Sequence, residues 1–266
     1  RSLASLSASG SAAIQAGFGP LVGDFIRVPF GDLEAAAAAF GQHPNLVAAL
    51  IEPIQGEGGV RVAPNGYLRG LRDLCTQHHA LLMLDEIQCG VGRSGRWFGY
   101  QHEEGLCPDV VTVAKALGNG MPIGACLATE SVSELLPMGS HGTTFGGNPL
   151  ACRVGLAVLD VMHEQDICQW AQKMGQLLID GLKERLAHHP NVVEIRGRGL
   201  MVGIEFDQEI PQMKQLALDA KMIINVTRGR IIRLLPPLII QPDQIQQIVE
   251  TIDGVVTKHF SMPANA

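Results

Sequence analysis

The sequence is poor in charged residues and has no concentration of positive charge. Only 17% of its 266 residues are charged, and acidic residues outnumber Lys and Arg by 26 to 20, so the formal net charge is −6. Without a cluster of Lys and Arg, the chain has no electrostatic footprint for nucleic acid or an anionic membrane. Apolar residues make up 46% of the chain. That share excludes a disordered protein and is enough for a sizeable core.

Several sequence signals of other protein classes are also missing. The six cysteines form no C-x-x-C pair and join no Cys/His cluster, so we expect reduced thiols and no metal site. No apolar run approaches the ~18 residues that a membrane helix needs. The Ser/Ala-rich start lacks the compact apolar segment of an export signal. These absences favour a cytoplasmic protein with no nucleic-acid partner and no membrane.

Short apolar runs alternate with helical spacing, which predicts an α/β fold. We predict an amphipathic helix at residues 65–79 and strands at residues 46–52, 81–84, 110–113 and 122–129. Continuous apolar runs of this kind are typical of parallel strands that are covered on both faces.

The pattern changes near residue 165, where we place a boundary between a large domain (1–165) and a smaller α+β domain (166–266). Helices are predicted at residues 150–162, 167–188, 212–221 and 243–260. Strands are predicted at residues 192–195, 200–206, 223–226 and 231–235, with a turn at 196–199.

Asp85 directly follows the apolar run at residues 81–84. An acid at the carboxyl end of a buried parallel strand lies where open α/β sheets bind ligands, although it could also serve only as a helix cap. Four apolar residues followed by Asp-Glu also resemble the strand of a nucleotide hydrolase. That interpretation requires a phosphate loop containing Gly-Lys, and no Gly-Lys pair occurs in this chain.

Lys115 follows the apolar run at residues 110–113 and precedes a glycine-rich turn. It could be an ordinary strand-end lysine that reaches water. In apolar surroundings, however, its pKa would fall and its neutral amine could attack a carbonyl. Together with Asp85 it matches the needs of pyridoxal phosphate, whose aldehyde is held by a lysine and whose ring nitrogen is kept protonated by an acid. Gln88 could donate to the ring oxygen.

Five segments in fixed order carry a family resemblance. They are residues 51–59 (IEPIQGEGG), 84–92 (LDEIQCGVG), 114–124 (AKALGNGMPIG), 141–149 (HGTTFGGNP) and 232–238 (IRLLPPL). Together they closely resemble class III pyridoxal-phosphate aminotransferases of fold type I, and best match the acetylornithine and succinyldiaminopimelate aminotransferase group. The resemblance covers essentially the whole chain. It implies a mostly parallel sheet in the large domain and a smaller α+β domain after it.

The resemblance also implies roles for cofactor-binding residues. Lys115 would be the Schiff-base lysine and the proton carrier, and Asp85 would pair with the pyridinium nitrogen. Gln88 would contact the ring oxygen, and Glu86 and Ile87 would complete this part of the pyridoxal-phosphate site.

Further roles concern the substrate and a second subunit. Thr144 would bind the cofactor phosphate of the neighbouring subunit in a homodimer, with Thr143 near the substrate, although both could be ordinary turn hydroxyls. Arg233 would grip the α-carboxylate of glutamate or 2-oxoglutarate. Glu57 would pair with Arg233 when the other substrate is bound, unless the two form a permanent ion pair. Arg1 would bind the far carboxylate of the substrate.

The implied reaction moves the terminal amino group of an N-acylated ornithine, or of succinyldiaminopimelate, to 2-oxoglutarate, giving a semialdehyde and glutamate. Ornithine, 4-aminobutyrate or succinylornithine are alternative amine donors. The alignment also leads us to expect that about the first third of a family member, with its main phosphate-binding loop, is absent. A poorly soluble or inactive fragment is therefore a further alternative.

Overall fold

The computed structural model describes residues 2–186 and 188–262. Their strands are β1 (Ala48–Ile51), β2 (Ile54–Gln55), β3 (Arg61–Val62), β4 (Leu81–Asp85), β5 (Val110–Val113), β6 (Ala125–Ala128), β7 (Val192–Arg198), β8 (Met201–Phe206), β9 (Asn225–Thr227) and β10 (Ile231–Leu234). Their α-helices are α1 (Leu3–Ala8), α2 (Ala12–Gln15), α3 (Leu33–Gln42), α4 (Tyr67–Gln77), α5 (Glu130–Ser133), α6 (Pro149–Glu164), α7 (Ile167–Leu186), α8 (Met213–Asp219) and α9 (Pro242–Ser261). Each strand and helix that we predicted forms within a few residues of its predicted bounds.

The first sheet has the strand order β1-β4-β5-β6. β1, β4 and β5 are parallel, as expected for continuous apolar runs. The prediction that β6 is a further parallel strand is wrong, because β6 pairs antiparallel with β5. The chain between them, residues 114–124, is shorter than the dozen or more residues that a parallel crossover needs.

The core beside this sheet buries two side chains of the central strand β4. Leu82 and Leu84 on β4 are fully buried, and α4 covers them with Leu68, Leu71 and other apolar side chains at helical spacing. This packing fixes the position at which β4 ends, and therefore the position of Asp85.

The second sheet has the order β7-β8-β10-β9 and is antiparallel throughout. Every residue of β8 is buried, and α7 and α9 pack their apolar faces against this sheet. One predicted turn is placed wrongly: residues 196–198 belong to β7, and the chain reverses at Gly199 and Leu200. Gly199, with a φ of +53°, allows this tighter reversal.

The predicted domain boundary near residue 165 remains a proposal, and the distribution of the two cores supports it. The core beside the first sheet reaches Met162 and Ile167, and the core beside the second begins at Ala171. Among residues 2–186 and 188–262, no helix combines the length and the apolar character needed to cross a membrane.

Candidate active site

The carboxyl ends of three neighbouring parallel strands bring charged residues to one edge of the first sheet. Ile51 pairs with Leu84, so Glu52 and Asp85 occupy adjacent strand ends. Asp85 also pairs with Thr112 on β5, and Lys115 comes two residues after β5 ends. The two residues that suggested pyridoxal chemistry thus lie at the same edge, where open α/β sheets bind ligands.

Asp85 is half-buried at the end of β4. Its Oδ1 accepts a hydrogen bond from the Ile87 N–H at 2.9 Å, which fixes the carboxylate. Within the described part of the chain, Oδ2 receives no hydrogen bond. A carboxylate that is oriented through one oxygen can use the other oxygen to accept a hydrogen bond from a protonated ring nitrogen.

Lys115 adopts a positive φ of 43° and begins a 3₁₀ turn, Lys115–Leu117. A positive φ is costly for a residue other than glycine and is concentrated at functional sites. Among the described residues its side chain is exposed, as that of a strand-end lysine that reaches water would be. The lysine lies in the connection between β5 and the antiparallel strand β6.

Arg233 lies on β10 with its side chain only 8% exposed. Its Nη1 donates a hydrogen bond to Gln88 Oε1 at 2.9 Å and forms an ion pair with Glu57, with Oε1 also 2.9 Å away. Its Nε is buried and has no hydrogen-bond partner among the described residues. Because Glu57 is 70% exposed, the pair joins a buried cation to an anion that is free to move away. The structure therefore brings the predicted substrate arginine, its predicted partner and the predicted ring contact together.

A close backbone approach makes the Gln88 contact possible. A Cβ atom at Gly56 would collide with the amide of Gln88 in its present position, so any larger residue there would displace this amide. Because Gln88 Oε1 accepts from Arg233, its amide NH₂ group is free to donate to a ring oxygen. The donor set of Asp85, Lys115 and Gln88 fits the ring nitrogen, the aldehyde and the phenolate oxygen of pyridoxal phosphate.

Glu52 belongs to the same edge, although the sequence analysis assigned it no role. Its Oε2 accepts from the Gly56 N–H at 2.8 Å. Burial raises the pKa of Glu52, and the negative charge of Asp85 raises it further, whereas the Gly56 hydrogen bond and the charge of Lys115 lower it. The charges of Asp85 and Lys115 are therefore close enough to Glu52 to change its pKa. The sequence did contain a signal for Glu52, because this residue directly follows the apolar residues of a predicted strand, as Asp85 does.

Comparison with known proteins identifies the family of the chain. Residues 1–256 match the family Aminotransferase class-III. The chain belongs to the class-III aminotransferase family.

Named relatives agree with this assignment. The chain is 47% identical over 261 residues to acetylornithine aminotransferase 1 of Bordetella bronchiseptica, covering 98% of this chain and 66% of that protein. It is 42% identical to ornithine aminotransferase 1 of Staphylococcus aureus, covering 96% and 64%.

A solved structure supplies the fold comparison. It is the ornithine aminotransferase of Toxoplasma gondii, with partial occupancy of PLP at its active site. The match has a TM-score of 0.92 and 34% identity, and it covers 98% of this chain and 62% of that one. The fold is therefore that of the fold-type-I aminotransferases. The chain spans slightly less than two thirds of the length of each of these three relatives.

In this class-III aminotransferase chain, Glu86 is turned away from the ligand edge. Its carboxylate is fully buried. Oε2 accepts from the Gly99 N–H at 2.8 Å and from Cys89 Sγ at 3.0 Å, and Oε1 accepts from the Tyr100 N–H at 2.8 Å. Burial raises the pKa of Glu86, and these three hydrogen bonds oppose the rise. Through these contacts Glu86 holds the loop at residues 97–102 against the end of β4, the strand that carries Asp85.

Three of the remaining predicted site residues lie in the described part of the chain. Thr143 and Thr144 are exposed in the segment between β6 and α6. Ile87 is half-buried and contributes its N–H to Asp85. Arg1 lies outside the described residues.

Proposed function

We propose that this chain forms most of a pyridoxal-phosphate-dependent aminotransferase that acts on the terminal amino group of N2-acetyl-L-ornithine or succinyldiaminopimelate. The acceptor is 2-oxoglutarate, and the products are a semialdehyde and glutamate. The observation that carries the proposal is the Arg233 guanidinium, which contacts both Glu57 and Gln88 and whose buried Nε has no partner within residues 2–186 and 188–262.

When bound, pyridoxal phosphate supplies an aldehyde that condenses with amines and a ring that accepts electrons from the substrate carbon. Asp85 keeps a negative charge at the ring nitrogen, and its hydrogen bond from Ile87 prevents the carboxylate from turning away. Lys115 Nζ would carry the proton that leaves the substrate carbon. Gln88 would hold the ring oxygen through its amide N–H.

The Glu57–Arg233 pair allows one site to treat two unlike substrates. Glutamate reacts beside its α-carboxylate, which the planar fork of Arg233 can bind in two hydrogen bonds once Glu57 has moved into solvent. The terminal amine of an acylated ornithine has no carboxylate beside it. Glu57 then stays on Arg233, because a buried arginine without an anion would be strongly unfavourable.

A homodimer with shared sites is part of the proposal, with Thr144 contacting the cofactor phosphate of the neighbouring subunit and Thr143 near the substrate. Exposure of large apolar side chains around this segment supports an interface there. They are Leu127, Leu135, Leu136, Met138 and Phe145.

Ornithine is the alternative donor with a specific observation behind it, because the Staphylococcus and Toxoplasma relatives are ornithine aminotransferases. The test measures kcat/KM of the full, cofactor-loaded protein for N2-acetylornithine, ornithine, succinylornithine and 4-aminobutyrate, with 2-oxoglutarate as acceptor. We expect N2-acetylornithine to exceed ornithine and 4-aminobutyrate by at least about tenfold, a free-energy difference of about 1.4 kcal/mol. A preference for ornithine would mean that ornithine, and not N2-acetylornithine, is the amine donor. If none of the amines transferred its amino group, the proposed reaction class would be refuted.

A further inference from the structure

The turn that carries Glu57 has an unusual backbone. It joins β2 to β3 and contains Gly59 with a φ of +101° followed by Val60 with a φ of +52°. A β-branched residue in the left-handed region is a genuine outlier and persists only where its surroundings determine it. Val60 is also fully buried. The surroundings of this turn therefore decide where Glu57 lies.

Arg196 on β7 supplies the strongest of those surroundings. Its Nε donates to the carbonyl oxygens of Gly59 and Val60 at 3.2 and 3.1 Å, and its Nη2 donates to Gly59 O at 2.7 Å. Both carbonyls of the strained turn thus converge on one guanidinium. The rigid fork of arginine suits this double contact in a way that a lysine cannot reproduce.

Carboxylates hold Arg196 in this orientation. Its Nη1 lies 2.6 Å from Glu205 Oε2 and 2.6 Å from Glu194 Oε2. The side chains of Arg196 and Glu205 are only 10% and 8% exposed. All three nitrogen atoms of Arg196 are engaged within the protein, so Arg196 is not itself a free carboxylate-binding site.

One row of residues across the second sheet connects Arg196 to the proposed substrate arginine. Gly203 on β8 lies opposite Arg196 on β7 and opposite Arg233 on β10. Residues directly opposite in antiparallel strands project from the same face. Val60 lies over Gly203, where a Cβ atom would come within 3.0 Å of Val60 Cβ. The turn therefore contacts both ends of this row. Its carbonyl oxygens accept from Arg196, and its Glu57 carboxylate forms an ion pair with Arg233.

We propose that Arg196, oriented by Glu205, is a positioning residue that sets Glu57 against Arg233 and thereby sets the preference of the site for terminal amines over α-amino acids. This inference rests on the proposed function, since it concerns the same two substrates. When Arg196 no longer holds the turn, Glu57 covers Arg233 less often. A carboxylate ligand then competes better for Arg233, and a terminal amine meets an uncovered cation.

The test compares Arg196→Met with Arg230→Met in the full protein. Arg230 is a matched control because its Nη2 also pairs with Glu205, at 2.6 Å, while the described residues show it no hydrogen bond to the turn. Two single-turnover half-reactions are measured on the cofactor-loaded protein, one with glutamate and one with N2-acetylornithine. Binding of glutarate, a dicarboxylate that cannot transfer an amine, is measured by calorimetry on the cofactor-free protein.

We expect Arg196→Met to shift the ratio of the two half-reaction efficiencies at least tenfold toward glutamate and to tighten glutarate binding several-fold. Arg230→Met leaves both quantities within twofold. Equal loss in the two half-reactions, an unchanged ratio, or the same shift in Arg230→Met would overturn the proposal.

A second variant covers the case in which Arg196→Met does not fold. Val60→Gly relieves the strained backbone without touching the Arg196–Glu205 pair, and we expect a smaller shift in the same direction. If it shifts neither the ratio nor glutarate binding, Arg196 does not act through the turn. Failure of the wild-type protein to transfer an amine from any donor would instead refute the proposed function, and glutarate binding would still test the role of Arg196.

Discussion

β8 and β6 are both strands of four-stranded sheets, yet their surroundings are opposite. All six residues of β8 are buried in the middle of the second sheet, whereas all four residues of β6 are exposed at the edge of the first. Arg233 is buried on the strand that pairs with β8, and Lys115 is exposed in the connection that leads to β6. The candidate site thus has a packed half, built from Asp85, Gln88 and Arg233, and an exposed half, built from Lys115.

This difference shows which interactions position the side chains of each half. In the packed half, hydrogen bonds and strand register within the chain already fix each side chain. In the exposed half, the backbone of Lys115 is strained, with a positive φ. The described residues show no hydrogen bond to its amine, so we expect a bound ligand to orient it. Substitutions in the packed half should therefore change either chemistry or stability in ways that the contacts predict.

The largest effect is expected for Asp85→Asn. Asparagine keeps the Oδ1 that accepts from Ile87, so the fold should be retained, but the negative charge at the ring nitrogen is lost. Removing one preorganised electrostatic contact of this kind costs about 10²- to 10³-fold in kcat. Steady-state kinetics with the preferred donor, together with an unchanged thermal transition, would establish this. A kcat within fivefold of wild type would refute the role of Asp85.

Glu86→Gln tests the packed half through stability. Both carboxylate oxygens accept from backbone N–H groups, so a glutamine must direct its NH₂ group against one of those donors. Leaving a buried donor unsatisfied costs about 1–3 kcal/mol, with the higher end expected here. Urea unfolding measures the loss. Glu103→Gln is the matched control, because Glu103 also accepts two backbone N–H bonds, from Gly66 and Arg69, but at the surface.

A comparable loss in both glutamate variants would show that burial of Glu86 is not what makes its contacts important. It would also weaken the contrast between the packed half and the exposed half. A loss confined to Glu86→Gln would sharpen that contrast.

Glu57→Gln tests the point at which the packed half meets solvent. Glutamine removes the anion that covers Arg233, so the half-reaction with N2-acetylornithine should slow by about three- to tenfold relative to that with glutamate. This corresponds to about 0.7–1.4 kcal/mol. Glu184→Gln serves as a control, since Glu184 is an exposed carboxylate and the described residues show it no ion pair with Arg196 or Arg233. An unchanged ratio in Glu57→Gln would mean that the ion pair is purely structural.

The smallest expected effect is a change in pH dependence caused by Glu52→Gln. Burial and the charge of Asp85 hold the pKa of Glu52 above its ordinary value, so the folded chain binds this proton more tightly than the unfolded chain. Glu52 therefore disfavours folding increasingly as pH rises from the unfolded pKa through the raised folded pKa. In that window, the unfolding free energy of Glu52→Gln should rise relative to wild type as pH rises.

Urea unfolding between pH 4.5 and 7 measures this difference, with the exposed Glu184→Gln as control. A flat difference across the window would show that Glu52 does not carry a raised pKa in the folded chain.

Much of the packed half could be predicted from local signals. Asp85 directly follows a continuous apolar run, and Arg233 lies among apolar residues before two prolines, so both were assigned correct places on strands. The roles of Glu52, Glu86 and Arg196 could not be predicted, because their partners are distant in sequence and are set by strand pairing. Arg196 was even placed in a turn, since the two glycines that follow it resemble a reversal. The antiparallel direction of β6 depended on the length of its connection, which the apolar pattern does not report.

The central claim is that Lys115, in the exposed half, holds the cofactor. The most direct measurement treats the full protein with pyridoxal phosphate, reduces it with borohydride and maps the labelled peptide by mass spectrometry. We predict a covalent label on Lys115 alone among the lysines of this chain, and its loss in Lys115→Ala. A label on another lysine of the wild-type protein, or one that persists at full yield in Lys115→Ala, would contradict the account.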